Sequence, residues 1–170
     1  MSRGVRTGYK CLAAGRVPPI QGGDPLPVRR WLPKTTPRPC ESGWHWCRNA
    51  ADVLAYLSDE VWEVKVRGRT VEGDDKAVSE EMILVRRVMG PEDVRAFMFD
   101  CLARIQPVAD VGGFGDEWRR MCEERTEDAC DAAGAAAWAV GDAWYARAAW
   151  AAEREWQTDR LNHYLTEAQS

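Results

Sequence analysis

Cys40, His45 and Cys47 stand close together in the spacing C-x4-H-x-C, and Cys11 lies upstream. Thiolate and imidazole are the ligand types zinc prefers, and a structural zinc site usually shows paired C-x2-4-C knuckles. This spacing has no such pair, so no metal site is expected, with Cys40, His45 and Cys47 the only candidates for one. The alternative is a half-buried strand carrying small thiols and a hydrogen-bonded histidine. A thiol of Cys40 or Cys47 beside His45 is also a conceivable nucleophile and base. The chain has two histidines, and His163 falls near the C-terminus in a helical stretch, which leaves His45 as the plausible imidazole base. Asp74, Asp75, Glu80 and Glu81 form an acidic run before the apolar Met82-Ile83-Leu84-Val85. Such a run is usually a solvated loop, but Glu81 at the mouth of a strand is also placed as a catalytic carboxylate. Trp44, Trp46 and Trp62 give an aromatic cluster, either core or a stacking surface for a planar ring. The segment Val111-Gly-Gly-Phe-Gly115 lacks the lysine, hydroxyl and glycine spacing of a phosphate loop.

Composition narrows the classes. The formal net charge of -4 leaves no global basic excess for phosphate binding, which argues against a nucleic-acid partner. No apolar run reaches membrane-span length. The N-terminal stretch lacks an apolar signal core, so the expected location is the cytoplasm. In that setting the six cysteines are expected to be reduced and unpaired.

The elements that must position these groups are readable from periodicity. Residues 7–14 suit a short strand with Tyr9 and Cys11 on one face and Lys10 and Leu12 on the other. Residues 15–42 hold Pro18, Pro19, Pro25, Pro27, Pro33, Pro37 and Pro39, most of the nine prolines, and read as a long irregular excursion. Residues 43–47 suit a second strand, with Trp44 and Trp46 opposite His45 and Cys47. Asn49 is placed as the N-cap of a helix over 50–57, with Asp52 at N3. Residues 61–67 alternate, Trp62, Val64 and Val66 facing inward. A further strand is expected over 82–88. A helix from Pro91 to about Ile105 carries the stripe Val94, Phe97, Met98, Cys101, Leu102 and Ile105.

The sequence from Gly8-Tyr-Lys-Cys-Leu12 through Cys40-Glu-Ser-Gly-Trp-His-Trp-Cys47 and Val61-Trp-Glu-Val-Lys-Val-Arg-Gly68 resembles an uncharacterised domain of actinobacterial and phage proteins over roughly residues 8–105. That resemblance implies a phage or prophage accessory protein and carries no activity. A second, distant similarity is in element order: Gly43-Trp-His-Trp-Cys47, a short helix ending Ala55-Tyr56, then a strand ending in Gly68 resemble the ADP-ribosyltransferase arrangement. It implies an NAD-utilising enzyme in which Glu81 holds the ribose hydroxyl, Tyr9 or Lys10 stands at the ribose-binding position, and Trp44 and Trp46 form a floor for nicotinamide. His45 completes that candidate set.

The expected architecture is α+β: a small mixed or antiparallel sheet with two packed helices over residues 1–106, a linker over 107–115, and an Ala/Trp-rich helical extension over 116–170. The extension places Trp138, Tyr145 and Trp156 on one face, apolar over too wide an arc to stand in water. It is expected to meet a protein partner or a second copy through 135–160. The favoured function is a non-catalytic protein-binding module acting on a host or viral protein, without a cofactor. The alternative is the NAD-utilising enzyme.

Overall fold

The computed structural model describes residues 4–20, 22–140 and 146–167, and side chains within these except those of 137–140 and 146–152. The chain is α+β. Its sheet comprises β1 (Arg6–Leu12), β2 (Trp44–Trp46), β3 (Glu60–Glu72) and β4 (Ala77–Met89), with α1 (Ala50–Tyr56) between β2 and β3. Then follow α2 (Pro91–Ala103), α3 (Gln106–Gly112), α4 (Gly115–Glu124), α5 (Glu127–Val140) and α6 (Ala146–Glu167). Among the described residues no helix is long and apolar enough to cross a membrane.

Strand order is β1-β3-β4-β2, every pairing antiparallel. The β3–β4 ladder contains register shifts at Val61/Trp62, Glu63/Val64 and Arg67/Thr70. Such irregularities bend a strand and raise its twist. The curl brings the two outer strands together: Tyr9 and Cys47 exchange backbone hydrogen bonds of 2.8 and 2.7 Å. The approach is close enough to require glycine at position 8. A Cβ there would stand 2.3 Å from the Trp46 ring and 2.5 Å from the Cys47 carbonyl oxygen.

Trp62, Val64 and Val66 face inward as their alternation predicts. They pack with Leu12, Trp46, Met82 and Leu84. Each fully buried aliphatic side chain of this kind stabilises by about 1.5–3 kcal/mol before entropy is subtracted. The indoles bury their rings and still satisfy their N–H groups: Trp46 donates to Ser79 Oγ at 2.9 Å, Trp62 to Glu60 Oε2 at 2.8 Å and Trp44 to the Pro33 carbonyl at 2.8 Å.

The proline-rich segment between β1 and β2 is a strap fixed to the sheet. Short β2 covers β4 only over Ala77–Ser79. Beyond it, the N–H groups of Thr35, Leu32 and Arg29 donate to the carbonyls of Glu80, Met82 and Leu84 at 2.8–2.9 Å. Leu26 and Leu32 enter the core. At the strap's start, Asp59 and the buried Glu60 accept the N–H groups of Ala14 and Gly15 at 2.9 and 3.2 Å.

Three local expectations are corrected. β4 begins at Ala77, so Glu80 and Glu81 lie within the strand, not in a loop before it. The hairpin is longer because the bulge at Arg67/Thr70 lets β3 continue past Gly68. On α2, Met98 is 54% exposed while Phe99 is buried, because Phe99 packs with Met121, Ala129 and Ala133. The stretch 107–115 is not a plain connection. Pro107 lies in the first turn of α3 and Gly113 ends it at φ 80, the usual places for proline and glycine around a helix.

The chain forms two compact units, Met1–Val94 with Thr158–Ser170, and Arg95–Gln157. In the second, Trp118 donates to the Leu102 carbonyl at 2.8 Å and packs edge-on against Phe114, centroids 5.8 Å apart. Of the expected interface residues, the Trp138 side chain and Tyr145 lie outside the described residues. Trp156 is half-buried under the Arg104 guanidinium, 4.2 Å from its ring centroid, and Arg104 also pairs with Glu153 at 3.1 Å.

Candidate functional site

A cavity of about 500 Å³ opens where β1, β2 and α1 meet within the first unit. β1 contributes Lys10 and Cys11, and β2 with its C-terminal end contributes His45, Trp46 and Cys47. Tyr56 ends α1 and is followed at the cavity by Leu57 and Ser58, while Lys76 comes from the β3–β4 turn. The strap adds Pro19, Ile20 and Cys40. Among the described residues no Asp or Glu lines the cavity.

Local chemistry fixes each wall. Asn49 caps α1 by accepting the Asp52 N–H at 3.0 Å, and buried Asp52 reaches back to the Arg48 N–H at 2.9 Å and holds its guanidinium at 2.7 and 3.0 Å. This reciprocal arrangement sets the angle at which the chain passes from β2 into the helix. Tyr56 at the far end of α1 donates to the Asp75 carboxylate and accepts from Lys76 Nζ at 2.9 Å. The phenol beside Lys76 holds that ammonium above the ordinary lysine range.

His45 has its Nε2 engaged. Nε2 accepts the Cys40 backbone N–H at 3.1 Å, which places the proton of the neutral ring on Nδ1. Cys40 itself has φ 61, a left-handed conformation that this hydrogen bond helps to hold. Burial, then the nearby ammoniums of Lys10 and Lys76, keep the imidazole below its usual range.

Lys10 donates to the His45 carbonyl at 2.9 Å. Its ammonium lies inside, and burial pushes it below the ordinary lysine range, with Lys76 adding repulsion. The neighbouring Cys11 side chain, then burial, push the Cys47 thiol far up. Cys11 in turn donates to the Val53 carbonyl at 3.9 Å. All six cysteines are free thiols, and Cys40 is the exposed one of the three at the cavity. Among the described residues no three His, Cys, Asp or Glu side chains gather as a metal-ion site.

The structure therefore brings together His45, Trp46 and Lys10, with Cys40 and Cys47. It does not bring Glu81, Tyr9 or Trp44 to the same cavity. Glu81 faces Arg67 across the β3–β4 ladder and holds its guanidinium at 3.0 and 2.8 Å. That pairing keeps the carboxyl below its usual range, and Arg67 stacks 4.1 Å over the Trp31 ring. Tyr9 sits beside Glu63 and Arg86, and burial and the Glu63 charge raise its phenol. Trp44 packs on the core. Tyr56, Lys76 and the Pro19–Ile20 turn were not singled out from sequence as site residues. The one signal available was the long strap itself.

Residues 30–96 match the family model described as Domain of unknown function (DUF7666). The match spans β2, α1, β3 and β4, and so includes His45, Cys47, Tyr56 and Lys76, while Lys10, Cys11 and Ile20 precede it. No curated protein and no solved structure matches the chain.

Proposed function

We propose that this chain is a binding module without catalysis of its own, a phage- or prophage-type accessory protein that receives a segment of a host or viral protein in the β1–β2–α1 cavity. The observation that carries this reading is the composition of the cavity wall. It combines apolar surface from Ile20, Leu57 and Trp46 with the two ammoniums of Lys10 and Lys76. Its volume of about 500 Å³ is that of a ligand pocket. Ile20 is 86% exposed at its rim, as an anchor for a partner would be. The groups a reaction would use are poorly placed for it: His45 Nε2 already accepts the Cys40 N–H, and the Cys47 thiol is pushed far up beside Cys11. An NAD-dependent transfer draws less support, since Glu81 is paired with Arg67 elsewhere on the sheet. The earlier likeness to actinobacterial and phage proteins supports a host or viral partner.

The test is a peptide-display selection against the purified chain. Selected peptides are then measured against protein whose Cys40 carries a bulky maleimide, with Cys40→Ser treated identically as the control. Peptides that bind the cavity lose affinity on the modified chain and keep it on the control. Selected peptides that bind both equally would remove the cavity from the reading.

A further inference from the structure

The cavity wall carries a more specific signature than room for a partner. It holds two lysines, and among the described residues no carboxylate lines it. Asp75, whose charge favours the Lys76 ammonium, is bonded to the Tyr56 phenol, and Asp52 is bonded to the Arg48 guanidinium. Lys10 spends one N–H on the His45 carbonyl, and the charges that act on its ammonium come from the Cys11 and Cys47 thiols, weak acceptors, and from Lys76. A lysine inside a protein with no acid beside it is costly unless a counter-charge arrives. The whole chain has a net charge of -4, so this local excess of positive charge runs against the molecule's own balance.

We propose that Lys10 and Lys76 form a subsite for a carboxylate carried by the bound protein segment, an acidic side chain flanked by apolar residues that rest on Ile20 and Leu57. This rests on the binding-module reading and names the chemistry the module selects. A carboxylate fits better than a phosphate. The charges are two single-point ammoniums, and among the described residues no arginine lines the cavity to grip two phosphate oxygens in a planar fork. The apolar neighbours favour a small anion on an apolar body over a dianion that keeps much of its water.

The experiment uses three capped peptides that share an apolar frame, Leu-X-Leu, with X as Glu, Gln or phosphoserine. Binding is followed by backbone amide shifts of His45, Cys47 and Lys76 and by titration of the His45 ring. The Glu peptide is expected to saturate those shifts and to bind at least about tenfold tighter than its Gln counterpart, a charge-assisted bond against a neutral one. It should also raise the His45 pKa, because a bound anion offsets the two ammoniums. Lys10→Met and, separately, Lys76→Met should shrink the Glu-over-Gln preference. The second variant and the wild-type titration stand even if the first does not fold. Equal binding of Glu and Gln peptides would overturn the carboxylate subsite while leaving the cavity as a binding site. Tighter binding of the phosphoserine peptide would replace carboxylate by phosphate and overturn the assignment. Absence of any shift at these three amides with all peptides would overturn it as well.

Discussion

His45 shows how one residue can look catalytic in sequence and serve as a clasp in the fold. Its Nε2 accepts the Cys40 N–H and so pins the turn that leads the strap into β2. Its proton affinity is lowered in the folded chain, which gives a definite pH dependence. The unfolded chain takes up a proton at this site as pH falls through about 6.5, before the folded chain does. Stability contributed here is therefore complete above that pH and is lost as pH drops toward the lowered folded value. Melting temperatures between about pH 7 and 5 should fall for the wild type. His45→Gln keeps an acceptor and a donor without the titration, and its melting temperature should decline less over the same range. Equal slopes for the two proteins would show that His45 carries no linkage.

At the scale of elements, closure of the sheet depends on one pair of residues and the absence of one Cβ. Gly8→Ala would drive a methyl into the Trp46 ring and the Cys47 carbonyl, both buried behind it. Overpacking of this kind costs about 1–3 kcal/mol, and chemical denaturation should show a loss of that size. A loss below about 0.5 kcal/mol would mean that β1 and β2 separate freely. What the sequence made legible is local. The alternation of Trp62, Val64 and Val66, the Asn49 cap and the proline that opens α2 each depend on neighbours a few residues away, and the structure has all three. The closure between Tyr9 and Cys47 joins residues far apart in the chain, and nothing in either strand's own pattern encodes it. Glu81 was misplaced for a related reason: the bulge after Arg67 hides the continuation of β3 from a strict period of two. At the cavity, His45 and Lys10 were legible as polar residues on short strands. Tyr56 and Lys76 were not, because the contact that unites them spans α1 and the next hairpin.

The chain as a whole has a net charge of -4, whereas the cavity in the curled sheet is lined by two lysines. β2 bonds the first residues of β4, the strap takes the carbonyls of Glu80, Met82 and Leu84, and β1 meets β2 at Tyr9. The part of β3 beyond β1's reach carries Arg67, Arg69 and Glu72. An uncovered strand edge is a template on which other chains can add, and charges or a covering segment are the usual defences. The strap is the covering segment here, and it passes over β4 with Arg29 and Arg30 exposed. A brief tryptic cut at these arginines leaves the ladder intact but frees the cover. The nicked chain should then join others edge to edge, and light scattering after size-exclusion chromatography should show assemblies that the uncut chain does not form. A nicked chain of unchanged size would mean that β4 needs no guard. On this view the prolines that make the segment unreadable as secondary structure also make it a safe cover, because a backbone interrupted by prolines is a poor template for a further strand.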